Sequence, residues 1–181
     1  STEIGKILLK ECAKTVKRVS MELGGHAPFI VFEDADIEAA IAGAIAAKYR
    51  NTGQTCVCAN RIYVHQDIYE KFSEGFAREA GKIQTGQGFD PSADQGPLID
   101  EAALAKVEEH VADAKNHGGE VMLGGHPHEL GGLFYEPTVI KNANDEMLLA
   151  HEETFGPVAP LFSFSTEEEV IARANNTPFG L

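Results

Sequence analysis

The stretch APFIVFEDADIEAAIAGAIAAKYRNTGQTCVCANRIYVH, residues 27–65, predicts a strand, a long helix and a second strand in succession. Residues 27–32 are a continuous apolar run of strand length, which is typical of a strand buried within a parallel sheet. Residues 34–49 open on an aspartate cap and are apolar nearly all round, so we expect a buried helix. Gly53 ends this helix, and residues 61–65 supply the next strand.

The alternation of strands and helices continues through the rest of the chain. Apolar periodicity predicts further helices over about 3–13, 69–83, 101–117 and 166–175. Capping boxes are expected at Asp67 with Glu70 and at Ser165 with Glu168. Further strands are predicted over 16–21, 120–123, 133–140 and 158–164. Elements that alternate in this way imply an α/β fold, with a mostly parallel sheet flanked by helices.

The composition limits the partners and the compartment. The chain has 181 residues, enough for one domain with a real core. A net charge of −13 repels nucleic acid and anionic membranes, so neither is an expected partner. No apolar run is long enough to span a bilayer, and no secretory signal is visible. Three cysteines, Cys12, Cys56 and Cys58, do not make a disulfide scaffold, which favours a cytoplasmic protein.

The two ends suggest a piece of a longer protein. The chain opens at Ser1 without a methionine and stops at Leu181, directly after a helix signal. We expect further sequence on both sides, with a processed natural domain as the alternative.

Cys56 is the candidate nucleophile. It follows the Gly53-Gln54-Thr55 turn, which can expose the sulfur and direct the Cys56 N–H toward a developing oxyanion. An inert, buried cysteine is the alternative, because most cysteines are of that kind. Glu22, next to Gly24-Gly25, is a candidate base, or else a solvated carboxylate at the end of a strand.

Three motifs together carry a resemblance to a known family. They are E-L-G-G at 22–25, R-N-T-G-Q-T-C at 50–56 and E-E-T-F-G-P at 152–157. In this order they resemble the aldehyde dehydrogenase superfamily, and the resemblance runs the whole length of the chain. The opening S-T-E-I-G at 1–5 is similar to the family's Gly-Ser-Thr-x-x-Gly turn without its first glycine.

The resemblance implies a covalent mechanism. Cys56 would add to the aldehyde carbon, and the oxyanion would be held by the Cys56 N–H and by an asparagine that lies outside this chain. Hydride would pass to NAD or NADP and leave a thioester. Glu22 would activate the water that hydrolyses this thioester.

The resemblance also implies the cofactor contacts. Glu153 would bind the nicotinamide ribose, Phe155 would pack near the nicotinamide ring, and Ser1 would meet the pyrophosphate at a helix N-terminus. Gly24 would allow close backbone approach beside the cofactor. His26 replaces the lysine that usually follows these glycines. Residues 1–23 would then be a remnant of the cofactor-binding domain, and residues 24–181 a C-terminally truncated catalytic domain.

Arg50 and Cys58 resemble the succinate-semialdehyde dehydrogenase branch in particular. In that branch the arginine matching Arg50 binds the distal carboxylate of the substrate, which a guanidinium fork suits. The alternatives are a helix-end charge on the dipole or a pairing with Glu or Asp. Cys58 would form a strained, easily reduced disulfide with Cys56 that silences it; a small buried residue is the alternative.

Three functional hypotheses remain open. The first is NAD(P)-dependent oxidation of succinate semialdehyde to succinate, a small anionic aldehyde substrate, by a parent protein that is a homo-oligomer. The second is another aldehyde dehydrogenase, for glutarate semialdehyde or with CoA acylation, although Glu22 argues against the CoA reaction. The third is a non-catalytic thiol-redox or interaction module, because no G-x-G-x-x-G motif is present. The isolated chain is expected to be inactive. No metal site is expected, because the pair His126 and His128 has no partner motif.

Overall fold

Five strands form one sheet in this computed structural model, which describes residues 1–181. The strands are β1 (Ala27–Val31), β2 (Ala59–His65), β3 (Glu120–Leu123), β4 (Thr138–Ala143) and β5 (Val158–Phe164). The helices are α1 (Thr2–Ala13), α2 (Ile37–Tyr49), α3 (Tyr69–Ala80), α4 (Glu101–Asn116), α5 (Leu148–His151) and α6 (Glu167–Asn175). None of these helices has the length and apolar character needed to cross a bilayer.

The sheet has the order β1-β2-β5-β4-β3 and is mostly parallel. β1 with β2, β2 with β5 and β5 with β4 pair in parallel, while β3 adds to the edge in the antiparallel sense. Helices pack on both faces of this sheet. The predicted α/β class is therefore confirmed.

Both faces of the sheet are buried, and the core is divided between them. α2 and α3 cover one face, where Phe72 and Phe76 of α3 are fully buried. α4, α5 and α6 cover the other face, where Phe162 of β5 and Val107 of α4 are fully buried. Burial of each phenylalanine contributes about 2 to 3 kcal/mol. Every residue of β2 is buried, because this central strand has neighbours on both sides and both faces.

The predicted aspartate caps of α2 and α4 are confirmed. Asp36 Oδ1 accepts the Ala39 N–H at 3.1 Å, and Asp100 Oδ1 accepts the Ala103 N–H at 2.8 Å. Each bond satisfies a donor that the first turn of a helix leaves without a partner.

The two predicted capping boxes are wrong in detail. No side chain caps α3; the His65 ring accepts the Asp67 N–H in the turn that precedes it. The cap of α6 is one residue later than expected, at Thr166, whose hydroxyl accepts the Glu169 N–H at 3.2 Å.

Two predicted strands and one predicted burial are also wrong. Residues 16–21 form no strand, because no other strand lies beside them, and Val16 is 90% exposed. The strand expected over 133–140 begins only at Thr138, after Pro137, whose nitrogen has no hydrogen to donate to a ladder. α2 is only partly buried, since Ala42, Gly43 and Ala46 are exposed.

The apolar side of α1 is exposed. Ile4, Ile7 and Leu8 are 55%, 58% and 47% exposed, although they share the face predicted from the sequence. Ser1 caps the helix as expected, since its hydroxyl accepts the Ile4 N–H at 3.4 Å. The one buried position is Gly5, which touches Leu23.

A buried arginine ties the beginning of β1 to the end of α6. Arg61 of β2 is 1% exposed, and its guanidinium donates to the carbonyls of His26 at 2.9 Å, Arg173 at 3.1 Å and Ala174 at 2.9 Å. The last two carbonyls belong to the C-terminal end of a helix, where the macrodipole favours a cation. Its charge therefore needs no carboxylate.

His26 is fully buried, and neither ring nitrogen has a hydrogen-bond partner. Burial, assisted by the positive charge of Arg61, lowers the pKa of His26 from its ordinary 6.5 to about 4. The folded state therefore holds a neutral imidazole in a range of pH where the unfolded chain holds a proton.

We predict that the free energy of unfolding falls between about pH 6.5 and pH 4. In that window the unfolded state binds the additional proton, so lower pH favours unfolding, by up to about 3 kcal/mol once the pH is below 4. Urea titrations from pH 7 to pH 4 measure this. His26→Phe should reduce the dependence and leave the part that His110 contributes, since burial lowers the pKa of His110 as well, whereas His126→Gln, at an exposed position, should not reduce it. An unchanged slope in the His26→Phe variant would refute this role of His26.

Candidate active site

Three segments of the chain meet at the amino-terminal ends of the strands, because each comes just before one of three neighbouring parallel strands. Gly24 and Gly25 precede β1, Cys56 precedes β2, and residues 152–157 precede β5. The register pairs Ala27 with Ala59, so the residues before those two strands lie side by side. Parallel pairing thus brings together motifs that are far apart in the sequence.

A left-handed turn leads from α2 to Cys56. Asn51, Thr52 and Gly53 have φ of 52°, 62° and 72° in succession. This conformation costs a non-glycine residue about 1 kcal/mol or more, so the surroundings must hold it. The Asn51 amide donates to the Gln54 carbonyl at 3.0 Å, and the Thr52 hydroxyl donates to the Gly96 carbonyl at 3.1 Å. A Cβ on Gly53 would collide with the carbonyl of Gly156, so glycine is required there.

Gln54 anchors the nucleophile loop to a second loop. Its amide nitrogen donates to the Pro97 carbonyl at 3.2 Å, and its amide oxygen accepts the Ile99 N–H at 2.9 Å. Both ends of the amide are occupied, so residue 54 is fixed two positions before Cys56.

The Cys56 thiol is partly exposed, unlike Cys58, which is 1% exposed. The Cys56 N–H donates no hydrogen bond within the chain, whereas the Cys58 N–H donates to the Thr55 carbonyl at 3.1 Å. The Cys58 thiol donates to the Lys48 carbonyl at 3.3 Å. Both thiols are free, and their pairing into a disulfide stays a prediction.

The Gly24-Gly25 turn packs between Cys56 and Glu153. A Cβ on Gly25 would collide with the Cys56 carbonyl, and a Cβ on Gly24 would lie 2.6 Å from Glu153 Oε2. The Gly25 N–H donates to Glu153 Oε1 at 3.1 Å. A side chain at position 25 would therefore have to displace backbone, whereas one at position 24 would have to displace only the end of the Glu153 side chain.

One cleft of about 540 Å³ collects most of the predicted site residues. Its lining includes six of them: Ser1, Glu22, Gly24, Cys56, Glu153 and Phe155. The cleft is open, and Glu22 is exposed in it. The structure therefore places the predicted nucleophile, base and cofactor contacts around a single space.

Arg50 lies outside this cleft. It is exposed at the end of α2 and lines a second groove of about 740 Å³ between α2 and α3. The carboxylates of Glu38, Glu79 and Asp94 line the same groove, yet the Arg50 guanidinium makes no ion pair or hydrogen bond with any of them. The expected alternative of a paired arginine is thus not what the structure has.

A buried polar chain behind the Gly-Gly turn was not foreseen. The Lys48 ammonium donates to Asn60 Oδ1 at 2.9 Å, and the Asn60 amide donates to the Gly25 carbonyl at 3.5 Å. Burial lowers the pKa of Lys48 below its ordinary value. One signal was available, since Lys48 is the only basic residue of a mostly apolar helix.

No cluster of three or more His, Cys, Asp or Glu side chains is arranged to hold a metal ion. His126 and His128, the pair considered from the sequence, lie in the loop between β3 and β4.

We predict that Gly25→Ala destabilises the fold by about 1 to 3 kcal/mol, because the new methyl group must displace the Cys56 carbonyl. Gly43→Ala is the matched control. Gly43 lies inside α2, and a Cβ there meets only the Phe29 ring, at 3.6 Å, so alanine should stabilise the helix by up to about 1 kcal/mol. Urea unfolding midpoints compare the two variants. Equal effects would show that the Gly25 contact is not tight.

The relatives of this chain are aldehyde-oxidising enzymes. It is 57% identical to a 3-sulfolactaldehyde dehydrogenase of Pseudomonas putida and 54% identical to a glutarate-semialdehyde dehydrogenase of Pseudomonas aeruginosa, over 100% of its own length in both. It covers only 37% and 38% of these two proteins, so it spans little more than a third of their length.

A solved structure and a family model agree with these relatives. The crystal structure of succinate-semialdehyde dehydrogenase from Burkholderia pseudomallei matches with a TM-score of 0.98 at 53% identity, over 99% of this chain and 37% of that one. The model of the Aldehyde dehydrogenase family matches residues 1–181, which is the entire chain. Fold, motifs and relatives therefore agree that this chain belongs to the aldehyde dehydrogenase family.

Proposed function

We propose that this chain forms the catalytic part of an NAD(P)-dependent aldehyde dehydrogenase that oxidises an aldehyde to a carboxylate through a thioester on Cys56. The observation that carries the proposal is the single cleft shared by Cys56, Glu22 and Glu153. Residues 24–181 would supply the nucleophile, and residues 1–23 would belong to the cofactor-binding domain. The burial of α1 supports this division. Its only buried residue is Gly5, which lies against Leu23, a residue on the same side of the boundary.

The chemistry of the first step falls to Cys56. Its sulfur, as the thiolate, adds to the aldehyde carbon, and the carbonyl oxygen becomes an oxyanion. The Cys56 N–H, which has no partner in the chain, is available to donate to that oxygen. Loss of hydride from the same carbon re-forms the carbonyl and leaves a thioester.

Glu22 completes the reaction in this proposal. Its carboxylate takes a proton from water, the hydroxide adds to the thioester carbonyl, and the Cys56 sulfur departs with the carboxylate product released. Glu22 is exposed and lines the same cleft, so water can reach both groups.

The cleft suits a dinucleotide. Its volume lies within the range of about 300 to 1,000 Å³ typical of small-molecule sites. The N–H groups of Thr2 and Glu3, in the first turn of α1, have no hydrogen-bond partner in the chain, and free N–H groups at a helix start attract phosphate. Glu153 Oε2 accepts no hydrogen bond, so it can accept one from a ribose hydroxyl. The bound nicotinamide would supply the hydride acceptor.

We further propose succinate semialdehyde as the substrate, with glutarate semialdehyde, one methylene longer, as the alternative. The sulfolactaldehyde, glutarate-semialdehyde and succinate-semialdehyde dehydrogenases named above act on aldehydes that carry an anionic group. An unpaired arginine suits such a group, and a chain of net charge −13 needs a local cation to attract it. Arg50 is the candidate: it lines the groove between α2 and α3 and not the cleft itself, but it is exposed, has no partner and precedes Cys56 by only six residues.

We predict that Cys56→Ala lowers dehydrogenase activity by about 10³-fold or more and abolishes labelling by a thiol-directed aldehyde analogue. The assay uses a full-length enzyme, meaning a polypeptide that joins these 181 residues to the remaining length that the relatives have. Cys12→Ala is the control, because Cys12 is also partly exposed but lies on α1. Labelling at the full rate in the Cys56→Ala variant would reject the nucleophile.

We predict that Arg50→Ala raises KM for succinate semialdehyde by about ten- to a hundred-fold, the cost of one lost charged hydrogen-bonding partner. KM for butanal, a neutral aldehyde of equal carbon number, should change less than about twofold. Lys82→Ala removes another cation from the same groove and should leave both constants unchanged. Equal increases for both aldehydes would reject the carboxylate assignment while leaving the role of Cys56 intact.

A further inference from the structure

The segment 152–155 presents two different faces. Glu153 and Phe155 line the cleft, whereas Thr154 is 3% exposed and faces α4. Glu152 is extended, with φ of −116° and ψ of 140°, and in extended chain alternate residues point to opposite sides. The contacts that this segment makes with α4 therefore determine the position of the side chains that line the cleft.

His110 of α4 is the polar residue on the side away from the cleft. It is fully buried, its Nδ1 lies 3.1 Å from the Thr154 hydroxyl, and its Nε2 lies 3.4 Å from Glu152 Oε2. The Nε2 contact is electrostatic, since it is not aligned as a hydrogen bond. One imidazole thus contacts two residues of the segment on the same side.

The ring is surrounded by an otherwise apolar stripe. Val107, Val111 and Ala114 of α4 are buried beside it in the core. A leucine at position 110 would suit that stripe, so a histidine there indicates a need for polar contact. The Thr154 hydroxyl, itself buried, supplies that need.

The charges around His110 favour the neutral ring. Burial lowers its pKa, and Lys106 on the same helix lowers it further, while Glu152 and Glu109 act in the opposite direction. In the neutral ring one nitrogen carries the proton, and the Glu152 carboxylate, 3.4 Å from Nε2, favours a proton on that nitrogen. Nδ1 is then free to accept the Thr154 O–H.

The segment also contains local strain. Phe155 has a φ of 52°, which a bulky side chain adopts only where its surroundings enforce it. The next residue, Gly156, lies so close to Val107 that a Cβ there would collide with the valine. α4 therefore holds the segment on both sides of Phe155, through Thr154 and through Gly156.

We propose that His110 is a positioning residue that holds the segment 152–155 from behind and so places Glu153 and Phe155 against the nicotinamide end of the cofactor. This inference rests on the proposed function. His110 does not touch the cleft; it acts through Thr154. Its loss should weaken cofactor binding more than aldehyde binding, because the turn between Arg50 and Cys56 is held by other contacts, those of Asn51, Thr52 and Gln54.

The test compares substitutions in the full-length enzyme. His110→Phe retains an aromatic ring but removes both nitrogens, and we expect a rise of about five- to twenty-fold in KM for NAD or NADP, with KM for the aldehyde changed less than about twofold. Thr154→Val removes the partner hydroxyl at equal volume and should give the same pattern. His110→Asn retains a polar atom near the place of Nδ1 and should restore most of the affinity. Glu108→Gln, exposed on the same helix, is the control.

A double-mutant cycle tests whether the two residues act together. The His110→Phe and Thr154→Val variant should be no worse than either single variant, since both remove one interaction. An unchanged cofactor KM in Thr154→Val, or multiplied effects in the double variant, would overturn the proposal. Labelling of Cys56 by an aldehyde analogue without cofactor should persist in all variants. If Cys56 were not labelled in the unsubstituted enzyme, that result would instead refute the proposed function.

Discussion

The contact between the Gly25 backbone and the Cys56 carbonyl is the constraint on which the site depends. Gly25 comes two residues before β1, and Cys56 comes three residues before β2, so the parallel pairing of these strands forces the two loops together. A side chain at position 25 would fill the space that the carbonyl occupies. Glu153 closes the other side of the turn through its bond to the Gly25 N–H.

Buried polar groups hold this contact from below. The path Lys48, Asn60, Gly25 runs from α2 through β2 to the Gly-Gly turn, and Arg61 holds the His26 carbonyl immediately after it. Burying a lysine or an arginine is unfavourable unless its donors are satisfied, so these side chains fix one arrangement and penalise others. The same residues therefore contribute to the stability of the core and to the geometry of the cleft.

Local patterns predicted the fold well where the determining interactions were local. The apolar run of β5 and the aspartate caps of α2 and α4 lie where the sequence placed them, since each depends on neighbours within a few residues. Residues 16–21 have a strand-like composition but no strand beside them. A local sequence pattern does not show whether a neighbouring strand is available for pairing.

The contacts behind the site escaped prediction for a related reason. His110 and Thr154 are 44 residues apart, and Arg61 meets carbonyls more than 100 residues further along the chain. A histidine on the buried stripe of α4 is visible in the sequence, but its partner is not. The cleft residues could be predicted because the family resemblance implied which distant motifs come together. Composition and periodicity alone do not show this.

The cleft lies at the amino ends of β1, β2 and β5, which has a consequence for how this architecture can vary. Ligands of open α/β sheets usually bind at the carboxyl ends of the strands. Here the loops at the carboxyl ends, after Val31, His65 and Phe164, take no part in the cleft. Changes of length in those loops would leave the spacing of the reactive groups untouched, so the architecture can vary at that end of the sheet without rearranging the cleft.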